Sequence, residues 1–330
     1  MIEYVERPDE GPPPRPAGSE IAPGLRILGL INRSRHLDVH DVLSLERAAR
    51  CVVKVARPDR LDRPRVARRL ELEGRLLRRL SHPHIVRGYP APGAPEPMVV
   101  TETLTGATLG NLLHTSTRRL GPAEIAHLGM HVASALVYLH GQGWLHLDLK
   151  PGNIVAVGGR AKVIDLSLAR RPGRVRAGLG THYYMSPEQA RGGAVGPPAD
   201  GGGLGVVLGE AAAGRRAFGH PDDDEDEDGT GGPTEGWSGG ESEVSRTGSG
   251  TGAEDDPGWT ESDDEPPQLT RVADPVRRHR RGLPRELAQI IDACLAHAPE
   301  DRPELAALLA ALEPATDIPA HLHLHSPAPG

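Results

Sequence analysis

Ten residues, Trp144 to Asn153 (WLHLDLKPGN), and an aspartate a dozen positions further on constrain this chain more than any other feature. Asp148, Lys150 and Asn153 lie within six residues of one another, between an amphipathic helical pattern and the short apolar run Ile154 to Val157. Asp165 follows the apolar pair Val163 and Ile164, at the expected end of a second strand. A carboxylate, an ammonium and an amide on one short loop, with another carboxylate at a strand end, suit phosphoryl transfer. One carboxylate orients a hydroxyl, the lysine neutralises the transferring group, and the amide with the second carboxylate holds Mg²⁺.

HLDLKPGN followed by VIDLS resembles the catalytic loop and metal-binding segment of the protein-kinase family. Further stretches resemble that family in the same order. Lys54 ends the apolar run CVVK and precedes a helix with Val66, Leu70, Leu77 and Leu80 on one face. By the resemblance, Glu73 on that helix pairs with Lys54 and aims it at the ATP phosphates, with Glu71 as the competing candidate. PMVVTETLT enters a hinge whose Glu102 and Leu104 main chain would bind adenine, beside a small gatekeeper, Thr101; Val39 and Val52 would lie against the base. A long helix from Pro122, with Ile125, Leu128, Val132, Leu136 and Leu139 on one face, delivers the chain to the catalytic loop. GTHYYMSPEQARGG resembles the end of the activation segment. Its Thr181 would lie against Asp148 and Lys150, a serine/threonine-specific arrangement, and Glu188 would pair with Arg302. Asp200 would hold the catalytic-loop backbone, although the glycines at 201–203 make a poor helix start.

Three departures qualify the resemblance. Where the family has a glycine-rich loop, Asn32, Ser34 and Leu37 replace the glycines, so side chains intrude where the backbone would approach phosphate. Either Arg33 or Arg35 is left to make a phosphate contact, or the hairpin no longer grips nucleotide. Leu147 replaces the arginine before the catalytic aspartate, and residues 168–180 contain no Ser, Thr or Tyr. Activity is therefore expected not to depend on phosphorylation of that stretch. Asp165-Leu166-Ser167 keeps the metal ligand while losing the glycine after it.

Composition adds limits. Of 38 basic residues only Lys54, Lys150 and Lys162 are lysines, and two of them fall where a compact ammonium must sit among phosphate oxygens. The 41 glycines and 32 prolines predict long unstructured segments. Residues 221–265 hold 17 Asp/Glu and one basic residue, so of the net −7 this segment carries −16 and the remainder +9. The basic excess has no aromatic interleaving, which argues against nucleic acid as a partner. Cys51 and Cys294, far apart in apolar runs, read as buried reduced thiols in a cytoplasmic protein. No signal peptide and no membrane span is evident, and a soluble protein is expected. The alternating histidines of HLHLHSPAPG read as a frayed terminus before a metal site.

The resemblance covers residues ~25–315 and implies an α+β, bilobal fold. The expected organisation is a disordered segment 1–24, an antiparallel β small lobe 25–104, a helical large lobe 105–315 with a disordered acidic insert 221–267, and a flexible tail 316–330. The implied activity is transfer of the ATP γ-phosphoryl group, with Mg²⁺, to Ser/Thr hydroxyls of protein substrates. Asp148, Lys150, Asn153 and Asp165 would carry the chemistry, the last two holding metal. The rival readings are a pseudokinase that binds partners and a scaffold that uses its acidic insert; oligomeric state is left open.

Overall fold

The computed structural model describes residues 11–218 and 265–316. Seven elements build the first layer: β1 (Glu20–Ala22), β2 (Leu25–Arg33), β3 (Leu37–Ser44), β4 (Ala49–Ala56), α1 (Pro64–Arg79), β5 (Gly88–Tyr89) and β6 (Met98–Glu102). The strands pair antiparallel in the order β1-β2-β3-β4-β6-β5. Period-two alternation decides which way β4 faces. Cys51, Val53 and Val55 are buried in the small-lobe core with Ile27, Val42 and Val100. Val52 and Lys54, half-buried, point the other way. Val39 is paired with Lys54, and Thr101 with Val52, so these four residues share the face turned from that core.

The large lobe follows as β7 (Ala107–Thr108), α2 (Leu109–Thr115), α3 (Pro122–Gly141), β8 (Ile154–Val157), β9 (Arg160–Val163), β10 (Gly173–Val175), α4 (Pro187–Arg191), β11 (Gly193–Val195), α5 (Pro197–Ala213), α6 (Val276–His279), α7 (Arg285–Cys294) and α8 (Leu305–Leu312). β7-β8-β9 and β10-β11 form two small sheets. Helix α3 buries the expected stripe, Ile125, Leu128, Val132, Leu136 and Leu139, and packs against α5 and α8. Pro122 starts it, and the Glu124 side chain accepts from the Gly121 amide and from both terminal nitrogens of Arg118. Among the described residues no helix is long and apolar enough to cross a membrane.

The expectation of disorder over residues 1–24 is corrected for 11–24. β1 extends the sheet, and Ile21 and Ala22 are buried in the small-lobe core. The signal is local: Ala22-Pro23-Gly24-Leu25 has proline then glycine at the centre of a tight turn, with Gly24 at φ +75°. Proline density upstream does not prevent an edge strand, which leaves half its backbone groups unpaired anyway. Residues 1–10, the insert over 221–264 and the tail from 317 lie outside the described residues; of the expected insert, Pro267 is described and is buried in a short 3-10 turn.

Of the glycines that read as a poor helix start, packing accounts for Gly202, and it does so more strongly for Gly205 further along the helix. On α5, a methyl group at Gly205 would meet the Cys294 Cβ at 2.7 Å; at Gly202 it would meet Ser186 and the Arg302 guanidinium at 3.2 Å; at Gly203, the Leu149 Cβ at 3.4 Å. The helix accepts a propensity cost of about 1 kcal/mol per glycine and gains close contact with the catalytic loop, α4 and α7. Gly201 has nothing within 4 Å of that position. Gly205→Ala is therefore expected to destabilise the fold by about 1–3 kcal/mol through overpacking. Gly201→Ala is expected to stabilise it by up to about 1 kcal/mol. Urea unfolding of the two variants checks the opposite signs.

Candidate active site

The catalytic-loop backbone is held from beneath. Asp200, buried near the start of α5, accepts hydrogen bonds from the His146 amide at 2.8 Å, the Leu147 amide at 2.7 Å and His140 Nε2 at 2.7 Å. Leu147 is at φ +61°, a left-handed conformation that costs a residue with a Cβ about 1–2 kcal/mol. The paired amides, and the burial of its side chain, over-determine that conformation. The next residue, Asp148, presents its carboxylate upward. Its Oδ1 accepts from the Thr181 hydroxyl at 2.6 Å, its Oδ2 from Asn153 Nδ2 at 3.1 Å, and Lys150 Nζ lies 3.6 Å from Oδ2. Lys150 also donates to the Thr181 hydroxyl at 2.9 Å. A short 3-10 turn, Pro151–Asn153, turns the Asn153 side chain back onto the loop, where Nδ2 also reaches the Asp148 carbonyl at 2.9 Å.

A second group sits across the cleft. Lys54 Nζ donates to Glu73 Oε1 and Oε2 at 2.9 and 3.1 Å and to Asp165 Oδ2 at 2.7 Å. Glu73 is buried, whereas Glu71 is exposed, which decides between the two glutamates in favour of Glu73. Asp165 Oδ1 accepts from the Ser167 amide at 2.7 Å, so serine in place of the family's glycine still supplies the same donor. The two groups are joined through the backbone: the Ile164 amide donates to the Asn153 carbonyl at 3.0 Å, one residue before Asp165.

Electrostatics separate the two carboxylates that share Lys54. Burial works against an ionised Asp165, but the Lys54 ammonium and the Ser167 donor outweigh it and hold its carboxyl well below the usual range. Burial, joined by the charge on Asp165, pushes Glu73 up to about 7 against the pull of Lys54. Burial likewise disfavours the Lys54 ammonium, and the two carboxylates overcome it and raise the group above an ordinary lysine. Asp165 is thus the one that stays ionised, the state in which a carboxylate can take up a cation. With Asn153 Nδ2 committed to Asp148, its Oδ1 is the atom left for a cation. One carboxylate and one amide oxygen fit Mg²⁺, which takes few protein ligands and completes its shell with water and phosphate. The described residues contain no cluster of three or more His, Cys, Asp or Glu able to hold a metal alone.

The face of β3, β4 and β6 carrying Val39, Val52, Lys54 and Thr101 roofs this cleft. At the hinge, the Glu102 amide is already used by the Arg87 carbonyl at 2.9 Å. The Glu102 carboxylate accepts from the Arg87 amide and pairs with Lys162. Leu104, just past β6, has neither main-chain group bonded to protein among the described residues. Of the two arginines that sequence alone leaves as phosphate contacts, Arg33 is committed elsewhere. Its guanidinium grips the buried Asp38 at 2.7 and 2.9 Å and donates to the Pro12 carbonyl at 2.8 Å. The hairpin tip is further fastened by Arg57, which donates its amide to the His36 carbonyl and Nη1 to the Ser34 carbonyl. Arg35 is exposed at that tip.

Two fastenings expected from the resemblance are present. Glu188 and Arg302 form a bidentate pair at 2.7 and 2.8 Å, and Asp200 holds the loop as described. Three residues escaped the sequence reading. Gln189, buried, donates from Nε2 to the Leu147 and Leu179 carbonyls, both at 2.9 Å, and so joins catalytic loop to activation segment. Lys162 ties β9 to the hinge, and Asp38 anchors Arg33. Gln189 had only a capping pattern to mark it, Ser186-x-x-Gln189 at a helix start; Lys162 had its rarity as a lysine but nothing to assign it a partner, and Asp38 had no local signal.

An antiparallel sheet with one helix, set over a helical lobe with a charged cleft between them, is the protein-kinase fold. Over 91% of this chain and 99% of the other, the structure aligns with the crystal structure of the Mycobacterium tuberculosis PknI kinase domain at a TM-score of 0.60 and 21% sequence identity. Residues 38–312 match the protein kinase domain model, and the chain belongs to that family. It is 34% identical over 178 residues to the serine/threonine-protein kinase PknB of Mycobacterium leprae, covering 50% of this chain and 28% of that protein. It is 32% identical over 194 residues to PknB of Mycobacterium tuberculosis H37Rv, covering 55% and 31%. The chain therefore matches less than a third of the length of these curated relatives.

Proposed function

We propose that this chain transfers the γ-phosphoryl group of ATP to serine and threonine hydroxyls of proteins. The observation that carries the reading is the Thr181 hydroxyl held between Asp148 and Lys150: the loop already binds an alcohol oxygen beside a carboxylate and an ammonium. An acceptor hydroxyl taking that place would give its proton to Asp148 as it attacks, while Lys150 offsets charge on the group in flight. Lys54, steered by Glu73, would hold the non-transferred phosphates, with Val39 and Val52 against the base and the main chain of Glu102 and Leu104 at its edge. Asn153 and Asp165 would hold Mg²⁺, which would supply charge neutralisation for the phosphates. Positioning and electrostatics supply most of such catalysis, so charged groups retained in contact weigh more than a lid without glycine. A cytoplasmic location goes with this reading, supported by the free, buried Cys51 and Cys294.

The hairpin favours one alternative, a pseudokinase. Asn32, Ser34 and Leu37 stand where backbone would meet phosphate, and Arg57 fastens the tip. Radiolabelled Mg-ATP with the purified protein and a Ser/Thr acceptor protein separates the two. Incorporation by wild type is expected to exceed that of Lys54→Met and Asp165→Asn by at least about 100-fold. Equal signal from all three proteins would mark contamination and end the enzymatic reading; ATP binding without transfer would establish the alternative.

A further inference from the structure

The activation segment is tied to the catalytic groups at both ends, through Asp165 to Lys54 and through Thr181 to Asp148. Everything between them is rim of the site where a protein acceptor must lie. From Leu166 to Pro187 this rim contains Arg170, Arg171, Arg174 and Arg176 and no acidic residue. Arg171 is laid over the Trp144 ring at 4.6 Å and donates to the Gln142 and Gly143 carbonyls. Arg174 is exposed on the β10–β11 ribbon and Arg176 half-buried beside it. Among the described residues no carboxylate lies within ion-pair distance of Arg171, Arg174 or Arg176. Arg216 lies over the Tyr183 ring at 4.7 Å, but its charge faces Glu210 and it is no part of this rim.

The carboxylates in or bonded to this region are already engaged, Asp148 with Thr181 and Lys150 among them. Asp165 pairs with Lys54, Glu188 with Arg302, and Glu210 accepts from the Tyr184 hydroxyl at 2.7 Å. Across the cleft Arg35 sits at the hairpin tip. His36 beside it is pushed down to about 4, first by burial and then by Arg35, Arg60, Arg63 and Arg69, which reports a positive potential there as well. Asp59 and Asp62 partly offset that side, whereas the stretch from Leu166 to Pro187 carries no carboxylate of its own. A cleft rimmed by one sign of charge concentrates partners of the other and repels its own.

We infer that the activation-segment arginines select acceptor segments whose residues flanking the serine or threonine are acidic. This rests on the phosphotransferase reading and names its substrate class. The test uses the full chain with Mg-ATP and two serine peptides of equal length, one flanked by Asp and Glu, the other by Lys and Arg. The acidic peptide is expected to have the higher kcat/KM by about tenfold at low ionic strength, with the ratio shrinking as salt screens the exposed charges. Arg174→Glu with Arg176→Glu is expected to remove that advantage, chiefly through KM; Arg174→Lys with Arg176→Lys is expected to keep it. Equal rates for the two peptides, or preference for the basic one, would overturn the inference and leave the enzyme standing. Anisotropy with serine-to-alanine versions of both peptides decides the charge preference even if neither serine peptide is phosphorylated, a result that would count against the enzyme alone. Tighter binding of the acidic version is expected, and equal or weaker binding refutes the inference.

Discussion

Asp148→Asn is expected to lower phosphoryl transfer by about 10²–10⁴-fold, the usual contribution of a positioned acid–base group, with little change in melting temperature. The substitution keeps the shape of the side chain and can keep one acceptor oxygen. It removes the charge that faces the Thr181 hydroxyl and Lys150. Asp148 is only partly buried and takes no part in the core, so the fold loses at most a few side-chain hydrogen bonds. Lys54, Glu73 and Asp165 bond to one another and not to Asp148, so KM for ATP is expected to stay near its wild-type value. Initial rates at saturating ATP, with a melting curve on the same sample, check both halves. Transfer retained within threefold of wild type would show that another group takes the proton.

Leu147→Arg is the second large effect, because it restores the residue that the family places there and is expected to harm this protein. Leu147 is 2% exposed and packs with Leu145, Leu168, Leu179, Val195 and Ala199. These residues come from the catalytic loop, the activation segment and the β11–α5 region. They form an apolar clasp where the family's arginine would meet a phosphate. A guanidinium placed among them has no phosphate to meet, since residues 168–180 offer no hydroxyl. Leaving a charge buried and unpaired costs about 3–5 kcal/mol. Leu147→Ala, which only opens a cavity, is expected to cost about 2–5 kcal/mol. In both variants the segment loosens and transfer falls. Wild-type protein stripped by a phosphatase is expected to remain as active as before. Denaturant unfolding and limited proteolysis across 166–180 measure the loosening. An arginine variant as stable as wild type, or an obligatory activating phosphate on Thr181, Tyr183 or Tyr184, would refute the clasp.

The β10–β11 ribbon belongs to the same device. Gly173 to Val175 pairs with Gly193 to Val195, which carries the middle of the activation segment to the start of α5. Gln189 completes the attachment from the other side. Three different kinds of interaction, apolar packing, strand pairing and a buried amide, thus hold a segment that no phosphate can fasten over residues 168–180.

What could be read along the chain was whatever chemistry leaves in short stretches. Asp148, Lys150 and Asn153 are close in sequence because one loop must carry them all, and the helix periods of α1 and α3 follow from the stripe each buries. Lys54 stood out because almost every other cation here is arginine. The resemblance puts Glu73 ahead of Glu71; the physical reason, the rotation of α1 against β6 that turns one of two carboxylates two residues apart toward the cleft, belongs to the folded chain. The capture of Arg33 by Asp38, the need for glycine at Gly202 and Gly205 of α5, and the apolar surroundings of Leu147 are decided by what packs opposite, mostly tens of residues away along the chain. Local pattern names the groups that must meet. Only the folded chain decides which partner each one finds, because burial and opposing charge are properties of neighbours in space.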